Sequence, residues 1–231
     1  MTIGGLQKLT LIDYPGKIAA TVFITGCNFR CPWCYSSELV LLEKIREQPK
    51  ILEKDFFDFL KMRRELLEGV VICGGEPCIN KELPSFAKKI KKLGYSVKID
   101  TNGSNPKMLK DLIDKKLIDY VAIDIKASKK KYEKLTGKRI NIKNIEKSIS
   151  LLKEGRIDCE FRTTIVPGLL KKEDILEIAQ WICGARKYYL QNFRPEKTID
   201  PKFKKIKPYP DKYLLEIVKA ISPFFEICEL R

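Results

Sequence analysis

Ile18-Ala19-Ala20-Thr21-Val22-Phe23-Ile24-Thr25-Gly26-Cys27-Asn28-Phe29-Arg30-Cys31-Pro32-Trp33-Cys34 is the stretch from which the rest of the chain can be read. Its first eight residues, Ile18 to Thr25, are mostly apolar or β-branched and stop at a glycine, as a buried strand does. Three cysteines then follow, spaced Cys-x3-Cys-x2-Cys. A strand that runs directly into a cluster of chemically active side chains predicts a parallel β-α fold, where sites form at the carboxyl ends of strands.

The same pattern recurs outward from this stretch. Val70 to Cys73 is a short apolar run that stops at Gly74-Gly75-Glu76-Pro77. Ser96 to Asp100, Tyr120 to Ile125, Asp158 to Val166 and Lys187 to Phe193 are four further strand candidates. Helical periodicity lies between them. Leu83, Phe86, Ala87, Ile90 and Leu93 repeat at three and four residues, as do Met108, Leu109, Leu112 and Ile113 after Asn105-Pro106. Ile142 to Leu152, Ile175 to Ile182 and Tyr213 to Ile221 carry the same stripe.

Six strands alternating with helices predict parallel β-α units. A closed eight-unit barrel takes about 250 residues, and this chain has 231. The expected fold is α/β, a shortened, open (β/α)6 partial TIM barrel. Ile3 to Lys17, with its Tyr14-Pro15-Gly16 turn, is expected to form an N-terminal hairpin with the first strand. No linker rich in Gly, Ser or Pro divides the sequence, so residues 1–231 are read as a single domain.

Composition narrows the chemistry. Apolar residues make up 44% and charged residues 32%, a globular profile. Histidine is absent, which excludes Ser-His-Asp triads, Cys-His dyads, histidine-ligated zinc enzymes and histidine general bases. The formal charge is +15. Lysines are scattered, without the aromatic-spaced basic stripe of a nucleic-acid binder, so they are read as a solvated surface and nucleic acid is not the expected partner. No signal peptide or apolar run of membrane-spanning length is read, and no membrane partner is expected. Clustered cysteines then suggest metal or redox work in a reducing cytoplasm.

Reading the strand ends in order brings polar and glycine residues to one rim. Three thiolates on a short loop can hold three corners of a [4Fe–4S] cubane, which takes four ligands, and so leave one iron open. Zinc with Cys73 or Cys78 as fourth ligand is the alternative, but zinc sites use paired Cys-x2-Cys knuckles and only one such pair is present.

Cys27-x3-Cys31-x2-Cys34 after the first strand, followed by Gly74-Gly75-Glu76-Pro77 after the second, resembles the radical S-adenosylmethionine superfamily over nearly the whole chain. The resemblance implies that Cys27, Cys31 and Cys34 hold a [4Fe–4S] cluster whose open iron is chelated by S-adenosylmethionine. It implies reductive cleavage of that cofactor to a 5′-deoxyadenosyl radical, which abstracts hydrogen. Gly4-Gly5-Leu6-Gln7-Lys8-Leu9-Thr10-Leu11-Ile12-Asp13-Tyr14-Pro15-Gly16-Lys17 and Val22 to Pro32 resemble the activating enzymes of glycyl-radical enzymes, in particular those of anaerobic ribonucleoside-triphosphate reductase. A large glycyl-radical enzyme is then the implied partner, together with a low-potential electron donor. Where that family has His-Asn after the third cysteine, this chain has Tyr35-Ser36.

The resemblance also implies site roles. Trp33 resembles the aromatic position beside the adenine, with a buried core ring as the plainer reading. Gly74 and Gly75 lack Cβ atoms, so that backbone can approach the methionine part of the cofactor. Glu76 either accepts from the cofactor's ammonium group or caps the next segment. Asp124 and Lys126 point to one strand face and resemble a cofactor-contacting pair, against a plain ion pair. Arg162 resembles an arginine that reaches the cofactor. Asp100 and Thr101 resemble a rim position that is a candidate monovalent-cation site. Cys73, Cys78, Cys159, Cys183 and Cys228 read as structural, small apolar side chains. Two other functions compete: a radical synthase or lyase acting on a small pterin-like substrate, of the 7-carboxy-7-deazaguanine synthase type, and, more distantly, a zinc-stabilised basic nucleic-acid-binding module.

Overall fold

The computed structural model describes all residues, 1–231. One eight-stranded sheet runs in strict chain order: β1 (Ile3–Thr10), β2 (Ala19–Ile24), β3 (Gly69–Gly74), β4 (Ser96–Thr101), β5 (Tyr120–Asp124), β6 (Asp158–Ile165), β7 (Lys187–Asn192) and β8 (Ile227–Leu230). β1 pairs antiparallel with β2 and every later neighbour is parallel. The expected hairpin is present. Its turn closes with Lys17 N–H donating to the Tyr14 carbonyl at 3.2 Å, and Gly16 has φ +73°, a region that favours glycine.

The six expected parallel strands are found, each within a residue or so of its sequence bounds. β8 was not foreseen. It extends the sheet by one strand and leaves β1 and β8 as its edges, with β1 bridged once, antiparallel, by Ile51 at Ile3, so the barrel stays open. Between β2 and β3 lie α1 (Ser37–Val40), α2 (Leu42–Glu47) and α3 (Glu53–Met62). The later crossovers carry α4 (Leu83–Lys92), α5 (Pro106–Asp114), α6 (Tyr132–Thr136), α7 (Ile142–Lys153), α8 (Lys172–Trp181) and α9 (Asp211–Ile221).

Local chemistry sets these elements. α5 starts where Asn105 accepts from the Met108 N–H, with Pro106 at the first helical position. α4 buries Leu83, Phe86, Ala87 and Ile90, one stripe at helical spacing. Those stripes cover one face of the sheet, where Val97, Ile99, Val121, Ile123 and Phe161 join the main core. Side chains alternate along a strand, so Lys98, Asp100, Asp124, Glu160 and Arg162 fall on the opposite, inner face. Apart from a small apolar cluster of Tyr14, Ala19, Val71 and Tyr120, the barrel interior is ionic. No helix is long and apolar enough to cross a membrane.

Candidate functional site

The cysteine loop leaves β2 through Gly26, whose φ of +91° turns the chain. It is then clasped from several sides. Arg30 N–H donates to the Thr136 carbonyl at the end of α6 at 2.7 Å, and Asp200 N–H donates to the Pro32 carbonyl at 2.9 Å. The Arg30 guanidinium donates to the Cys27 and Phe29 carbonyls at 2.6 and 2.7 Å. Asn28 bridges to the β4 rim, donating to Ser104 Oγ at 2.8 Å and accepting from Asn102 at 2.9 Å. A loop so tied holds its thiols in place before any ligand arrives.

Cys31 is buried and Cys27 and Cys34 are half-buried. Burial pushes the Cys27 thiol up to about 11, with the Glu76 carboxylate adding to the effect. Burial likewise pushes Cys31 up to about 12 and raises Cys34, while the Lys126 ammonium draws both downward. Three desolvated thiols share one nearby cation, a donor set that favours a positively charged metal centre over bare thiolates. Cys78, one of the fourth donors a zinc site would need, is buried in the short turn after β3. Cys27, Cys31 and Cys34 put three thiols on one short loop, the donor set that three corners of a cubane take.

Gly74 and Gly75 have a reason the sequence did not show. A Cβ on Gly75 would lie 2.0 Å from the Gly26 carbonyl oxygen, and one on Gly74 would meet the Ile24 backbone at 2.6 Å. The close backbone approach expected toward a cofactor is made, in this chain, to the cysteine loop itself. Gly75 and Glu76 N–H groups donate to the Ile24 and Gly26 carbonyls, each at 2.8 Å.

Glu76 is 1% exposed. Its Oε1 accepts from the Cys78 N–H at 2.9 Å and the Thr101 hydroxyl at 2.6 Å, and Oε2 accepts from the Asn102 N–H at 2.6 Å. The contact to Cys78 N–H caps the short turn that follows. The carboxylate ties the β3 rim to the β4 rim and has no free face toward a ligand. Burial raises its pKa, against the pull of these donors. Glu76→Gln places an amide NH2 against donors and is expected to cost about 2–3 kcal/mol, a fall of roughly 4–12 °C in melting temperature for a chain of this size. A variant that melts like the parent but binds S-adenosylmethionine weakly would place the carboxylate at the cofactor instead. Trp33 is 6% exposed and packs in the main core.

Asp124, Lys126 and Arg162 do come together. Asp124 sits opposite Arg162 in the β5–β6 register. Its Oδ1 accepts from Arg162 Nε at 2.9 Å and its Oδ2 from Lys126 Nζ at 3.0 Å. Burial would raise Asp124, but Arg162 and then Lys126 hold it well below the usual carboxylate range. Lys126 is the hinge between this group and the thiols: burial would lower its pKa, and Asp124 together with Cys31 raises it.

Asp100 and Thr101 are not brought to one point. Adjacent strand residues face opposite sides; the Thr101 hydroxyl turns to Glu76 while Asp100 faces the interior. There its two oxygens meet Lys98 Nζ at 2.5 Å and Arg162 Nη1 at 2.9 Å. A metal cation does not fit between them. Lys98 and Glu160, each 1% exposed, were missed in the sequence. Glu160 accepts from the Tyr120 hydroxyl at 3.1 Å and from Arg231 at 3.2 Å.

Beside the loop, a cavity of about 810 Å³ opens between Gly4 and Gly5 of β1, Tyr35 to Leu39 after the last cysteine, and Arg194 to Thr198 after β7. It lies along the open side of the sheet, where β1 is an edge.

Comparison with known proteins follows the same outline. The sequence profile of the Radical SAM superfamily matches residues 21–182. A Methanocaldococcus jannaschii protein bearing the name glycyl-radical enzyme activating enzyme is 36% identical over 99% of this chain and 95% of its own. A 7-carboxy-7-deazaguanine synthase from Thermococcus kodakarensis is 24% identical over 78% of this chain and 76% of its own. Among solved structures, Streptococcus suis SuiB bound to S-adenosylmethionine superposes with a TM-score of 0.67 at 16% identity, over 90% of this chain and 51% of that one. That likeness shows the fold, and the chain spans about half the length of that structure.

Proposed function

This chain belongs to the radical SAM superfamily, and from that premise we propose that it is a glycyl-radical enzyme activating enzyme whose partner is an anaerobic ribonucleotide reductase. Family membership brings S-adenosylmethionine and a [4Fe–4S] cluster; when bound, they supply a 5′-deoxyadenosyl radical by one-electron cleavage. Everything else falls to the chain. Cys27, Cys31 and Cys34 hold the cluster on a loop fixed beforehand. Lys126 offers its ammonium beside those sulfurs, and Asp124 orients it. Arg162, whose Nε and Nη1 are held by Asp124 and Asp100, has Nη2 left to donate to the carboxylate or ribose of the cofactor. Gly74, Gly75 and Glu76 frame the pocket by packing β3 onto the loop, and buried Trp33 and Phe29 back it against water.

The observation that carries a protein substrate, rather than a free metabolite, is the opening beside the loop. Its floor includes the side-chain-free Gly4-Gly5 of an edge strand, and beyond the single bridge of Ile51 to Ile3 an extended segment can lie along that strand by strand addition. The N-terminal signature, Gly4 to Lys17, supports the reductase as that partner. A low-potential donor supplies the electron, and the reaction belongs to a reducing cytoplasm.

The test is electron paramagnetic resonance. Anaerobically reconstituted, reduced protein mixed with S-adenosylmethionine and the large reductase subunit is expected to give the doublet of a glycyl radical on the partner. Cofactor consumption without a doublet, accompanied by turnover of a small pterin-like substrate, would replace this reading with the synthase one.

A further inference from the structure

The resemblance leads one to expect a monovalent cation at Asp100 and Thr101, and the structure disagrees. Both oxygens of Asp100 are taken by side-chain cations, Lys98 Nζ at 2.5 Å and Arg162 Nη1 at 2.9 Å. Both oxygens of Asp124 are taken too, by Arg162 Nε at 2.9 Å and Lys126 Nζ at 3.0 Å. The Thr101 hydroxyl, the neutral oxygen such an ion would want, faces away onto Glu76 at 2.6 Å. Lys98 lies on the inner face of β4, in register with Tyr120, and is 1% exposed. Burying an ammonium is costly unless a partner compensates it, and its one close carboxylate is Asp100.

We infer that Lys98 is a built-in replacement for a monovalent cation: a tethered ammonium that holds Asp100, and through Arg162 the Asp124–Lys126 pair, in the arrangement that receives S-adenosylmethionine. This inference rests on the functional reading above. An ammonium is compact and carries one charge, and that of Lys98 takes the place beside Asp100 where such an ion would sit. Lys98 is thus a positioning residue that acts through Asp100 and Arg162.

The experiment compares the anaerobically reconstituted parent with Lys98→Ala and Lys98→Met. The dissociation constant for S-adenosylmethionine is measured in choline, sodium, potassium and ammonium chloride at equal ionic strength. The parent is expected to bind equally in all four. Lys98→Ala should bind about tenfold more weakly in choline, the loss of one charge-assisted contact, and recover in ammonium or potassium. Lys98→Met fills the space without a charge and should stay weak in every salt. Parent binding that needs sodium or potassium would overturn the inference, as would Lys98→Ala binding normally in choline. Melting curves without S-adenosylmethionine give a second readout: ammonium should raise the melting temperature of Lys98→Ala and leave Lys98→Met unmoved, and an equal response of the two variants counts against the inference. If the parent binds no S-adenosylmethionine in any salt, the functional reading is what fails, and the melting curves still decide the role of Lys98.

Discussion

Cys31→Ala is expected to abolish reductive cleavage of S-adenosylmethionine. The loop is tied at Arg30, Pro32 and Asn28 by partners on α6, on the segment after β7 and on the β4 rim, so it cannot slide to bring another sulfur into place. Cys73 and Cys78 sit in β3 and in the turn that follows it, outside the loop. Loss of a residue that supports a metal ligand typically costs 10–100-fold; loss of the ligand itself should exceed about 100-fold. The protein should still fold, because Cys31 also serves as a small apolar side chain and truncation there is expected to cost about 1–2 kcal/mol. Iron content, visible absorbance and release of 5′-deoxyadenosine after anaerobic reconstitution check the result. A variant that kept full cleavage would remove Cys31 from the cluster.

Gly75→Ala is expected to do comparable damage by a different route. Its methyl would stand 2.0 Å from the Gly26 carbonyl oxygen and 2.6 Å from the carbonyl carbon. Backbone, unlike a flexible side chain, cannot swing aside. Either β3 withdraws from β2 and the Gly75 N–H to Ile24 carbonyl bond breaks, or Gly26 shifts and carries Cys27 with it. Overpacking of this kind costs about 3 kcal/mol or more, a fall of roughly 6–12 °C in melting temperature. The iron content of the variant after reconstitution should fall with it. Unchanged melting and full cluster loading would mean that the two rims are not packed as described.

What the sequence disclosed, and what it did not, divides along physical lines. Strands β2 to β7 were legible because apolar runs stopped at glycines and helical stripes separated them. The thiol loop was legible because its spacing is rare. β8 was not: Ile227–Leu230 is four residues long and only partly buried, without the apolar run that marks its neighbours. α3 was hidden because only Phe56 and Leu60 of its ten residues are buried, too thin a stripe to read. Lys98 and Glu160 sit in strands whose charged positions look solvent-facing in one dimension. Only a curled sheet turns that face inward, so their burial is a property of closure and not of local pattern. Asp100 and Thr101, neighbours in sequence, were separated by the strand's own alternation. Glu76 and Trp33 each had a functional and an internal reading, and their burial is a property that spacing does not encode.

The ion-lined interior of the barrel also constrains how this sequence can drift. Lys98, Asp100, Arg162, Asp124 and Lys126 form an unbroken run of alternating sign, and losing Asp100 or Asp124 strands Lys98 or Lys126 away from water. Neutral divergence at these positions must therefore proceed by paired exchange, two sites altering together across adjacent strands, while the aliphatic outer layer remains free to vary one residue at a time.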